Sequence, residues 1–291
     1  MAKTFKNVLL LYKRSAYQLY FLDSKSSMRP QNPIVVKECE AFKEAHDSHY
    51  ATLRTVARTL FRHGVRFTEC YRGRNIPYSA FDLVITVGGD GTFLEAARKI
   101  KHQVMLGVNS APKYSVGRYC VANKDNFEGI LKRLLAGRFK IKHFHRLRVQ
   151  FDHRRQPVEA LNDVLICHRN PAVLCRYGIQ RGSRFEEQRS SGIWVSTPAG
   201  STGAIHSAGG KGMDPYAKKI QYVPRELYES KGSRYRLKGG IVPAGQKIKI
   251  TSLMRQGMVF LDGAHQKFPF DFGSQLMISL SSHPVKTVSL R

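Results

Sequence analysis

The first half of the chain alternates short apolar runs with longer stretches in which apolar residues recur every three or four positions. The short runs predict strands at "NVLLLY", "VRFTECYR", "FDLVITV" and "VMLGVN". Helical spacing appears between Lys37 and Gly64 and returns in "TFLEAARKI" and "NFEGILKRLLAG". Strands that alternate with helices imply parallel crossover connections. We therefore expect a doubly wound parallel α/β domain, Rossmann-like, over residues 1–138.

Beyond Gly137 the pattern changes to short runs of alternating or continuous apolar residues, with few helical stretches between them. Such runs are "HRLRVQF", "VEALNDVLIC", "SGIWVST", "QKIKITSL", "GMVFLDG" and "QLMISLS". Alternation with a period of two predicts strands that bury one face. We therefore expect a β-rich, sandwich-like domain over residues 139–274. Because no long linker precedes it, we expect the two domains to pack closely around a cleft.

The net charge of +27 is the bulk property that changes this picture. Taken alone, it favours a nucleic acid or another polyanion as partner. Basic residues are spread along the whole chain, however, with a denser stretch only at Lys140–Arg155 and without a basic tail or a nucleic-acid-binding motif. We therefore expect a solvated basic surface that attracts small anionic substrates, and no nucleic-acid partner. Arg146 and Arg148 lie on one face of a predicted strand and are expected to face solvent, with a position lining the cleft as the alternative.

Cysteine usage and apolar run lengths indicate the compartment. The five cysteines are odd in number and lack paired spacing, which is typical of reduced thiols in a cytoplasmic protein. Zinc is not expected, because Cys167, His168 and Cys175 lack a fourth ligand. No apolar run approaches the roughly 18 residues of a membrane span, and the N-terminal residues do not read as a secretory signal.

The stretch "DLVITVGGDGTFLEAARKI", residues 82–100, places a carboxylate among glycines between a strand and a helix. Ligands bind beyond the carboxyl ends of parallel strands, and helix N-termini attract phosphate. The sequence therefore predicts a phosphate cradle formed by Gly88, Gly89, Gly91 and Thr92. Asp90 would repel phosphate, so it is a candidate for taking a proton from an attacking hydroxyl or for holding a metal. A tight turn with Asp90 as helix cap is the alternative.

A second loop, "SSGIWVSTPAGSTGAIHSAGG", is rich in glycine, serine and threonine and carries no charged residue before His206. Small and hydroxyl-bearing residues let a large polar ligand approach the backbone, so we expect a ligand-binding loop, with an ordinary surface loop as the alternative. "LND" at 161–163 and "FLDG" at 260–263 add an amide and carboxylates at strand positions.

These motifs carry a family resemblance. "GGDGT" at 88–92, "ND" at 162–163, "STPAGSTG" at 196–203 followed by "SAGG" at 207–210, and "DG" at 262–263 occur in the order found in NAD kinases. "GGDGT" is shared with diacylglycerol and sphingosine kinases, whereas the "STPAGST" and "SAGG" pair is specific to NAD kinases among these. Over residues 82–263 the chain resembles the NAD kinase family.

The resemblance implies phosphoryl transfer from ATP, or another phosphate donor, to the 2′-hydroxyl of the adenosine ribose of NAD, with Mg²⁺ or another divalent cation. Asp90 resembles the catalytic carboxylate, next to the phosphate-facing residues Gly88, Gly89, Gly91 and Thr92. Asp262 resembles an acidic residue near the reacting end. The residues that resemble the dinucleotide-holding positions are Asn162, Asp163, Thr197, Ser201, Thr202 and Gly203.

Three departures from the family pattern concern substrate choice. Ser191 replaces the usual aspartate, Ala204 replaces a tyrosine, and "SAPKYSVGRYC" stands where a "GLGFL" pattern is usual. The first and third are closer to the mitochondrial branch of eukaryotic NAD kinases and leave the donor and the choice of NAD or NADH open. The resemblance also implies a dimer or tetramer, and a C-terminal segment, 275–291, that returns to the first domain.

Two other functions remain as alternatives. A lipid kinase of the diacylglycerol type shares "GGDGT" and a β-rich second domain, but it needs an apolar channel, which the hydroxyl-rich loop disfavours. A basic nucleotide-binding protein without catalytic activity is the other alternative, and the presence of Asp90 argues against it.

Overall fold

The computed structural model describes residues 5–23, 32–229, 234–264 and 266–290. The chain divides into two compact units, one formed by Met1–Lys142 with Val285–Arg291 and the other by His143–Pro284. The strand Gln275–Leu280, which the sequence assigned to the returning segment, pairs inside the second unit. The return to the first unit is made by the strand Val285–Ser289.

The first unit combines helices and strands. Its helices are α1 (Pro33–Arg62), α2 (Asp90–Lys99) and α3 (Phe127–Leu135), with a π-helical turn at Gln18–Leu22 and a 3₁₀ turn at Tyr78–Ala80. Its strands begin with β1 (Val8–Tyr12), β2 (Phe67–Tyr71), β3 (Leu83–Gly88), β4 (Val104–Asn109) and β5 (Cys120–Asn123). The division between the units falls within β6 (Lys140–Phe144).

The second unit is almost entirely β-structure. Its strands are β7 (Leu147–Phe151), β8 (Val158–Ala160), β9 (Asp163–His168), β10 (Cys175–Arg181), β11 (Arg184–Ser190), β12 (Ile193–Ser196), β13 (Lys219–Pro224), β14 (Gly240–Pro243), β15 (Lys247–Ser252), β16 (Gly257–Leu261), β17 (Gln266–Pro269) and β18 (Gln275–Leu280). A short helix, α4 (Ala204–Ser207), follows β12. The last strand, β19 (Val285–Ser289), belongs to the first unit.

A sheet in the order β2-β1-β3-β4-β19-β6, with β5 also paired to β4, forms the first unit. β1 runs parallel to β2 and β3, and β4 runs parallel to β3, β5 and β19. Every residue of β3 and β4 is buried, which explains why their sequences are largely apolar, with Thr86 and Asn109 as the polar exceptions. Val56 of α1 and Phe127 of α3 pack on this sheet. The predicted parallel α/β domain is confirmed.

Parallel strands place their carboxyl ends at the same edge of the sheet, and here that edge carries the glycine-rich turn. β3 ends at Gly88, directly before α2. The N–H of Ser110, the residue after β4, donates to the Gly88 carbonyl at 3.1 Å. The N–H of Arg72, after β2, donates to the Tyr12 carbonyl at 2.7 Å. The first bond joins the glycine-rich turn to the residue after β4, and the second joins the ends of β1 and β2.

His49 ties α1 to this edge of the sheet. It is fully buried, its Nε2 lies 2.8 Å from the Lys13 carbonyl, and its Nδ1 lies 2.8 Å from the Ser110 hydroxyl. A carbonyl only accepts, so Nε2 carries the proton and Nδ1 accepts from Ser110. Burial lowers the pKa of His49 to about 4, and the nearby charge of Lys13 acts in the same direction. His49 is therefore neutral at physiological pH.

Replacing His49 is expected to destabilise the first unit without touching the candidate catalytic group. His49→Leu leaves the Ser110 hydroxyl and the Lys13 carbonyl without their partner, and buried orphaned groups cost about 1–3 kcal/mol each. We expect a loss of about 2–4 kcal/mol in the free energy of unfolding, measured by chemical denaturation followed by circular dichroism. An exposed control, His153→Leu, should be close to neutral. Equal stability of the two variants would contradict this role of His49.

Two antiparallel sheets form the second unit, in the orders β11-β10-β15-β18-β7-β8 and β14-β13-β12-β9-β16-β17. Alternate residues of both sheets, such as Ile179, Ile250 and Ile166, are buried in one shared core. The predicted β-rich, sandwich-like domain is confirmed. Within the described part of the chain, no helix has the length and apolar character needed to cross a bilayer.

Candidate active site

The predicted site residues fall into two groups, one at the edge of the first sheet and one in the second unit. Asp90 is the central residue of the first group. It is the first residue of α2, preceded by Gly89 as the N-cap. Its Oδ1 accepts a hydrogen bond of 3.0 Å from the backbone N–H of Tyr119. Asp90 is therefore not the helix cap of the alternative interpretation, and its half-buried carboxylate is oriented by an amide from a neighbouring segment.

The segment that orients Asp90 is itself held rigidly. The Tyr119 ring stacks on Phe93 of α2, with ring centroids 5.1 Å apart and an interplanar angle of 11°. The Asn109 side chain donates to the Ser115 carbonyl at 2.8 Å. This segment carries the "SAPKYSVGRYC" departure from the family pattern. Sequence reasoning missed its contact with Asp90, because a backbone N–H donor leaves no signature in residue type.

The glycines of the turn have different surroundings. A Cβ on Gly88 would lie 2.3 Å from the Thr92 Oγ1, and a Cβ on Gly89 would lie 2.3 Å from the Ser115 Oγ. A Cβ on Gly91, which is exposed, would meet only the Arg72 Nη1, at 3.4 Å. Gly88 and Gly89 therefore permit close packing of the turn, while Gly91 leaves the first turn of α2 open to solvent.

Thr92 is fully buried, and its hydroxyl has no hydrogen-bond partner among the described residues. Such orphaned groups are rare in folded proteins, because they lose their hydrogen bonds to water. The hydroxyl covers Gly88, so Thr92 contributes to the packing of the turn whether or not it faces a ligand.

Basic side chains follow β1 and β2 at the carboxyl edge of the first sheet. Arg72 lies against Gly91 and forms an ion pair of 3.7 Å with Glu95 of α2. Arg14 and Arg74 lie over the Tyr71 ring, with guanidinium carbons 4.5 and 4.6 Å from its centroid. Burial lowers the pKa of Lys13, and the charge of Arg72 lowers it further. The carboxyl edge of the first sheet therefore attracts anions.

The second group is built around the Asn162–Asp163 turn, which connects β8 to β9. Asp262 supports this turn from behind. Its carboxylate accepts hydrogen bonds from three consecutive backbone N–H groups, those of Leu161, Asn162 and Asp163, at 2.9, 2.6 and 3.3 Å. Asp262 adopts a left-handed conformation with φ of 50°, which these three bonds stabilise.

The loop after β12 holds the opposite side of the same turn. The Thr197 hydroxyl donates to the Leu161 carbonyl at 2.7 Å, and the Thr197 N–H donates to the Asn162 carbonyl at 3.0 Å. A Cβ on Gly200 would lie only 2.1 Å from the Asn162 carbonyl oxygen. The Asn162–Asp163 turn is therefore clamped between Asp262 on its N–H side and the Thr197–Gly200 segment on its carbonyl side.

The predicted hydrogen-bonding residues of this loop differ in availability. The Ser201 hydroxyl is fully buried, donates to the Pro198 carbonyl at 2.7 Å and accepts from the Met213 N–H at 2.8 Å. Thr202 and Gly203 are partly exposed. A Cβ on Gly203 would lie 3.4 Å from the Asn162 Nδ2. Ser201 therefore shapes the loop, and Thr202 is the partly exposed hydroxyl-bearing residue beside it.

The Asp163 carboxyl lies in an environment that disfavours its charge. Burial is the largest cause, and the negative charge of Asp262 adds to it. The Asn162 side chain donates to the Asp163 Oδ2 at 2.7 Å and acts in the opposite direction. The resulting pKa of Asp163 is about 7, so a substantial fraction of this carboxyl is protonated at neutral pH.

The raised pKa predicts how stability varies with pH. In the unfolded chain Asp163 loses its proton near pH 4, whereas in the folded protein it keeps the proton up to about pH 7. Between these values the folded state binds more protons, so this contribution to stability falls as pH rises. Asp163→Asn removes the contribution. We expect the melting temperature of the wild type to drop by about 3–8 °C relative to this variant between pH 4 and 8.

The fluorescence of Trp194, the chain's single tryptophan, reports this transition within the second unit. Asp271→Asn, which changes an exposed aspartate of the same unit, is the matched control and should melt in parallel with the wild type. Parallel melting curves for Asp163→Asn and wild type across this pH range would contradict the raised pKa.

Arg146 corrects one sequence-based expectation. It was expected to face solvent with Arg148, yet it is only 4 % exposed, while Arg148 is exposed. Arg146 precedes β7 and its guanidinium pairs with Glu159 of β8 at 3.2 Å. The alternation of exposed and buried residues does not extend to a residue outside the strand, so it wrongly predicted an exposed Arg146.

Comparison with known proteins assigns the family. The model of the ATP-NAD kinase N-terminal domain matches residues 22–139, and the model of the ATP-NAD kinase C-terminal domain matches residues 161–290. A probable NADH kinase of Oryza sativa subsp. japonica is 32 % identical over 288 residues, which cover 90 % of this chain and 86 % of that protein.

Two solved structures share the fold. An NAD kinase from Archaeoglobus fulgidus in complex with ATP has a TM-score of 0.69 at 23 % identity, covering 98 % of this chain and 94 % of that one. A yeast NADH kinase complexed with NADH has a TM-score of 0.73 at 16 % identity, covering 99 % and 84 %. At these identities the two structures establish the architecture alone.

Proposed function

The chain belongs to the ATP-NAD kinase family, and on this premise we propose that it transfers the γ-phosphoryl group of ATP to the 2′-hydroxyl of the adenosine ribose of NAD or NADH. The observation that carries the proposal is the Asp90 carboxylate, held by the Tyr119 amide at the start of α2 and flanked by glycines. Family membership argues against the diacylglycerol-type lipid kinase.

Asp90 is proposed to act as the general base. The ribose 2′-oxygen attacks the γ-phosphorus, a bond forms between them, and the bond from the γ-phosphorus to the bridging oxygen of ADP breaks. Asp90 accepts the proton that the 2′-hydroxyl loses. Phosphoryl transfer needs orientation and charge neutralisation more than covalent help from the protein. The N–H groups at the start of α2 and the basic residues around it supply positive potential for the donor phosphates.

The Asn162–Asp163 turn and the loop that clamps it are proposed to bind the acceptor dinucleotide. The clamp fixes the backbone of the turn from both sides, which lowers the entropy lost when a ligand is ordered there. Thr202 and Asn162 are partly exposed polar residues of this surface, and the Asn162 amide donates to the buried Asp163 carboxyl beneath it. Thr197, Ser201, Gly203 and Asp262 are proposed to maintain the shape of this surface.

A divalent cation is proposed to accompany the donor. Among the described residues no three His, Cys, Asp or Glu side chains cluster closely enough to hold a metal ion by themselves. Mg²⁺ usually keeps several waters and is held largely through substrate phosphates, which leaves Asp90 for the proton of the attacking hydroxyl. This arrangement suits Mg²⁺ brought in with ATP, where the ion neutralises phosphate charge.

The acceptor is either NAD or NADH. The relative from Oryza sativa is named a probable NADH kinase, which supports NADH as the second candidate. The departures at Ser191 and at residues 110–120 support placement in the mitochondrial-type branch.

We further propose that the chain forms a homodimer or homotetramer. Light scattering after size-exclusion chromatography measures the mass of the assembly.

The direct test is product formation by purified protein with Mg²⁺. NAD or NADH is combined with ATP or polyphosphate in all four pairings, and the NADP(H) formed is quantified through an NADP-specific dehydrogenase. We expect product with ATP and at least one acceptor, and the ratio of kcat/KM for the two acceptors assigns the preference. Absence of product in every pairing, with Mg²⁺ or Mn²⁺, would reject the proposal in favour of a non-catalytic nucleotide-binding protein.

A further inference from the structure

We propose that Arg146 is a positioning residue for the acceptor: it holds Glu159 and Asp262 around the Asn162–Asp163 turn and thereby sets affinity for the dinucleotide without contacting it. This inference rests on the proposed function and names a residue outside every motif of the family pattern.

Arg146 is a buried cation whose guanidinium has polar and charged partners. It is 4 % exposed, its Nη1 lies 3.2 Å from the Glu159 Oε2, and the same nitrogen donates to the His283 carbonyl at 3.0 Å. Burial lowers the pKa of Arg146, and the charges of Glu159 and Asp262 oppose that effect. A buried guanidinium is costly unless opposite charges lie near it; Glu159 supplies a direct ion pair, and Asp262 supplies a second negative charge that favours the charged form of Arg146.

Glu159 connects Arg146 to the strand that leads into the turn. It lies in β8, two residues before Leu161. Its Oε1 accepts a hydrogen bond from the Ser281 hydroxyl and lies 3.3 Å from the His283 Nδ1. The Ser281 N–H donates to the Arg146 carbonyl at 2.8 Å. Arg146 and the segment after β18 therefore fix the approach of β8 to the turn.

Asp262 connects Arg146 to the turn itself. The carboxylate that accepts from the three N–H groups of residues 161–163 is the one whose charge acts on Arg146. Asp163 places a second carboxyl nearby, and its interaction with Asp262 is repulsive when both are charged. Arg146 offsets this repulsion. Without the cation, Asp262 and Asp163 are expected to separate, and the turn loses its support on the N–H side.

The first test separates acceptor affinity from donor affinity. For Arg146→Met we expect KM for the accepted dinucleotide to rise at least about tenfold, about 1.4 kcal/mol, with KM for ATP within about twofold of wild type. Arg146→Lys keeps a cation beside Asp262, and we expect its KM for the dinucleotide to stay within about threefold of wild type. Arg184→Met, which removes an exposed arginine of the same unit, is the matched control and should leave both constants unchanged.

Two kinetic outcomes would overturn the inference: an unchanged dinucleotide KM in Arg146→Met, or an equal rise of both KM values. The first would show that Arg146 does not influence the acceptor-binding turn. The second would show that Arg146 acts on both substrates and not specifically on the acceptor turn.

The second test does not need catalysis. Hydrogen exchange of peptides that span residues 158–164 is measured by mass spectrometry in the free wild-type and variant proteins. We expect exchange to accelerate at least about tenfold in Arg146→Met, less in Arg146→Lys, and to stay unchanged in the β10–β11 peptide. If Arg146→Met fails to fold, Glu159→Gln replaces it, with the same direction expected. Unaltered exchange at 158–164 rejects the inference, whereas absence of product from wild-type protein rejects the proposed function alone.

Discussion

Asp90→Asn is expected to lower kcat by about 10²–10⁴-fold, the usual contribution of a positioned general base. Asparagine keeps an oxygen that accepts the hydrogen bond of 3.0 Å from the Tyr119 N–H, so the turn keeps its geometry. It cannot take the proton of the attacking hydroxyl. We therefore expect KM for ATP and for the dinucleotide to remain within about threefold of wild type, since the loss is confined to the transition state.

The control for this variant is Asp125→Asn, which removes the charge of an exposed aspartate in the same unit. Both variants lose one negative charge from a strongly basic protein, so any general electrostatic effect on ATP binding is common to them. Initial rates at saturating substrate decide the outcome. Turnover of Asp90→Asn equal to that of Asp125→Asn would show that another group accepts the proton and would remove the basis of the proposed mechanism.

The architecture was predictable where local pattern and tertiary environment agree. β3 and β4 are buried on both faces and largely apolar, so strand type followed from residue type, and parallel pairing followed from the alternation of strands with helices. The hairpin of β10 and β11 was not predicted. β11 reads "RFEEQRS" and is mostly exposed at the edge of its sheet, where charged residues are typical of edge strands and hide the alternation.

The candidate site shows a similar limit. The glycine-rich turn and the Asn162–Asp163 pair can be recognised from residue type, and the family resemblance implied their roles. The long-range contacts that hold these residues in place cannot be recognised in this way. Asp262 reaches a turn that is 100 positions away in the sequence, and the Tyr119 N–H donates across 29 positions. Periodicity reports only local neighbours, so contacts of this kind require the folded chain.

Gly200→Ala is the second change with a large expected effect, because it adds a methyl group against the Asn162–Asp163 turn, which is held from both sides. The new Cβ would lie 2.1 Å from the carbonyl oxygen of Asn162, 2.6 Å from its carbonyl carbon and 2.8 Å from its Oδ1. The first two of these atoms are backbone, and Asp262 holds the other side of the turn through three N–H groups. The overlap must therefore displace the whole turn or the loop after β12.

Overpacking of this kind costs about 1–3 kcal/mol, and a dislocated turn no longer presents Asn162 and Asp163 to a dinucleotide. We expect KM for the dinucleotide to rise at least about thirtyfold, equivalent to about 2 kcal/mol. Isothermal titration calorimetry with NAD or NADH measures the same loss without turnover. Thermal unfolding followed by Trp194 fluorescence should show a lower melting temperature.

Gly212→Ala is the matched control, since its Cβ would make only an ordinary contact of 3.7 Å with the Thr202 Cγ2. The two variants add the same methyl group to the same loop region and differ in what the methyl group meets. A large defect in Gly200→Ala with near-normal Gly212→Ala would tie dinucleotide affinity to the clamped turn. Near-normal affinity in both would mean that the turn is not the acceptor-binding element, because the displacement that Gly200→Ala forces would then leave the acceptor unaffected.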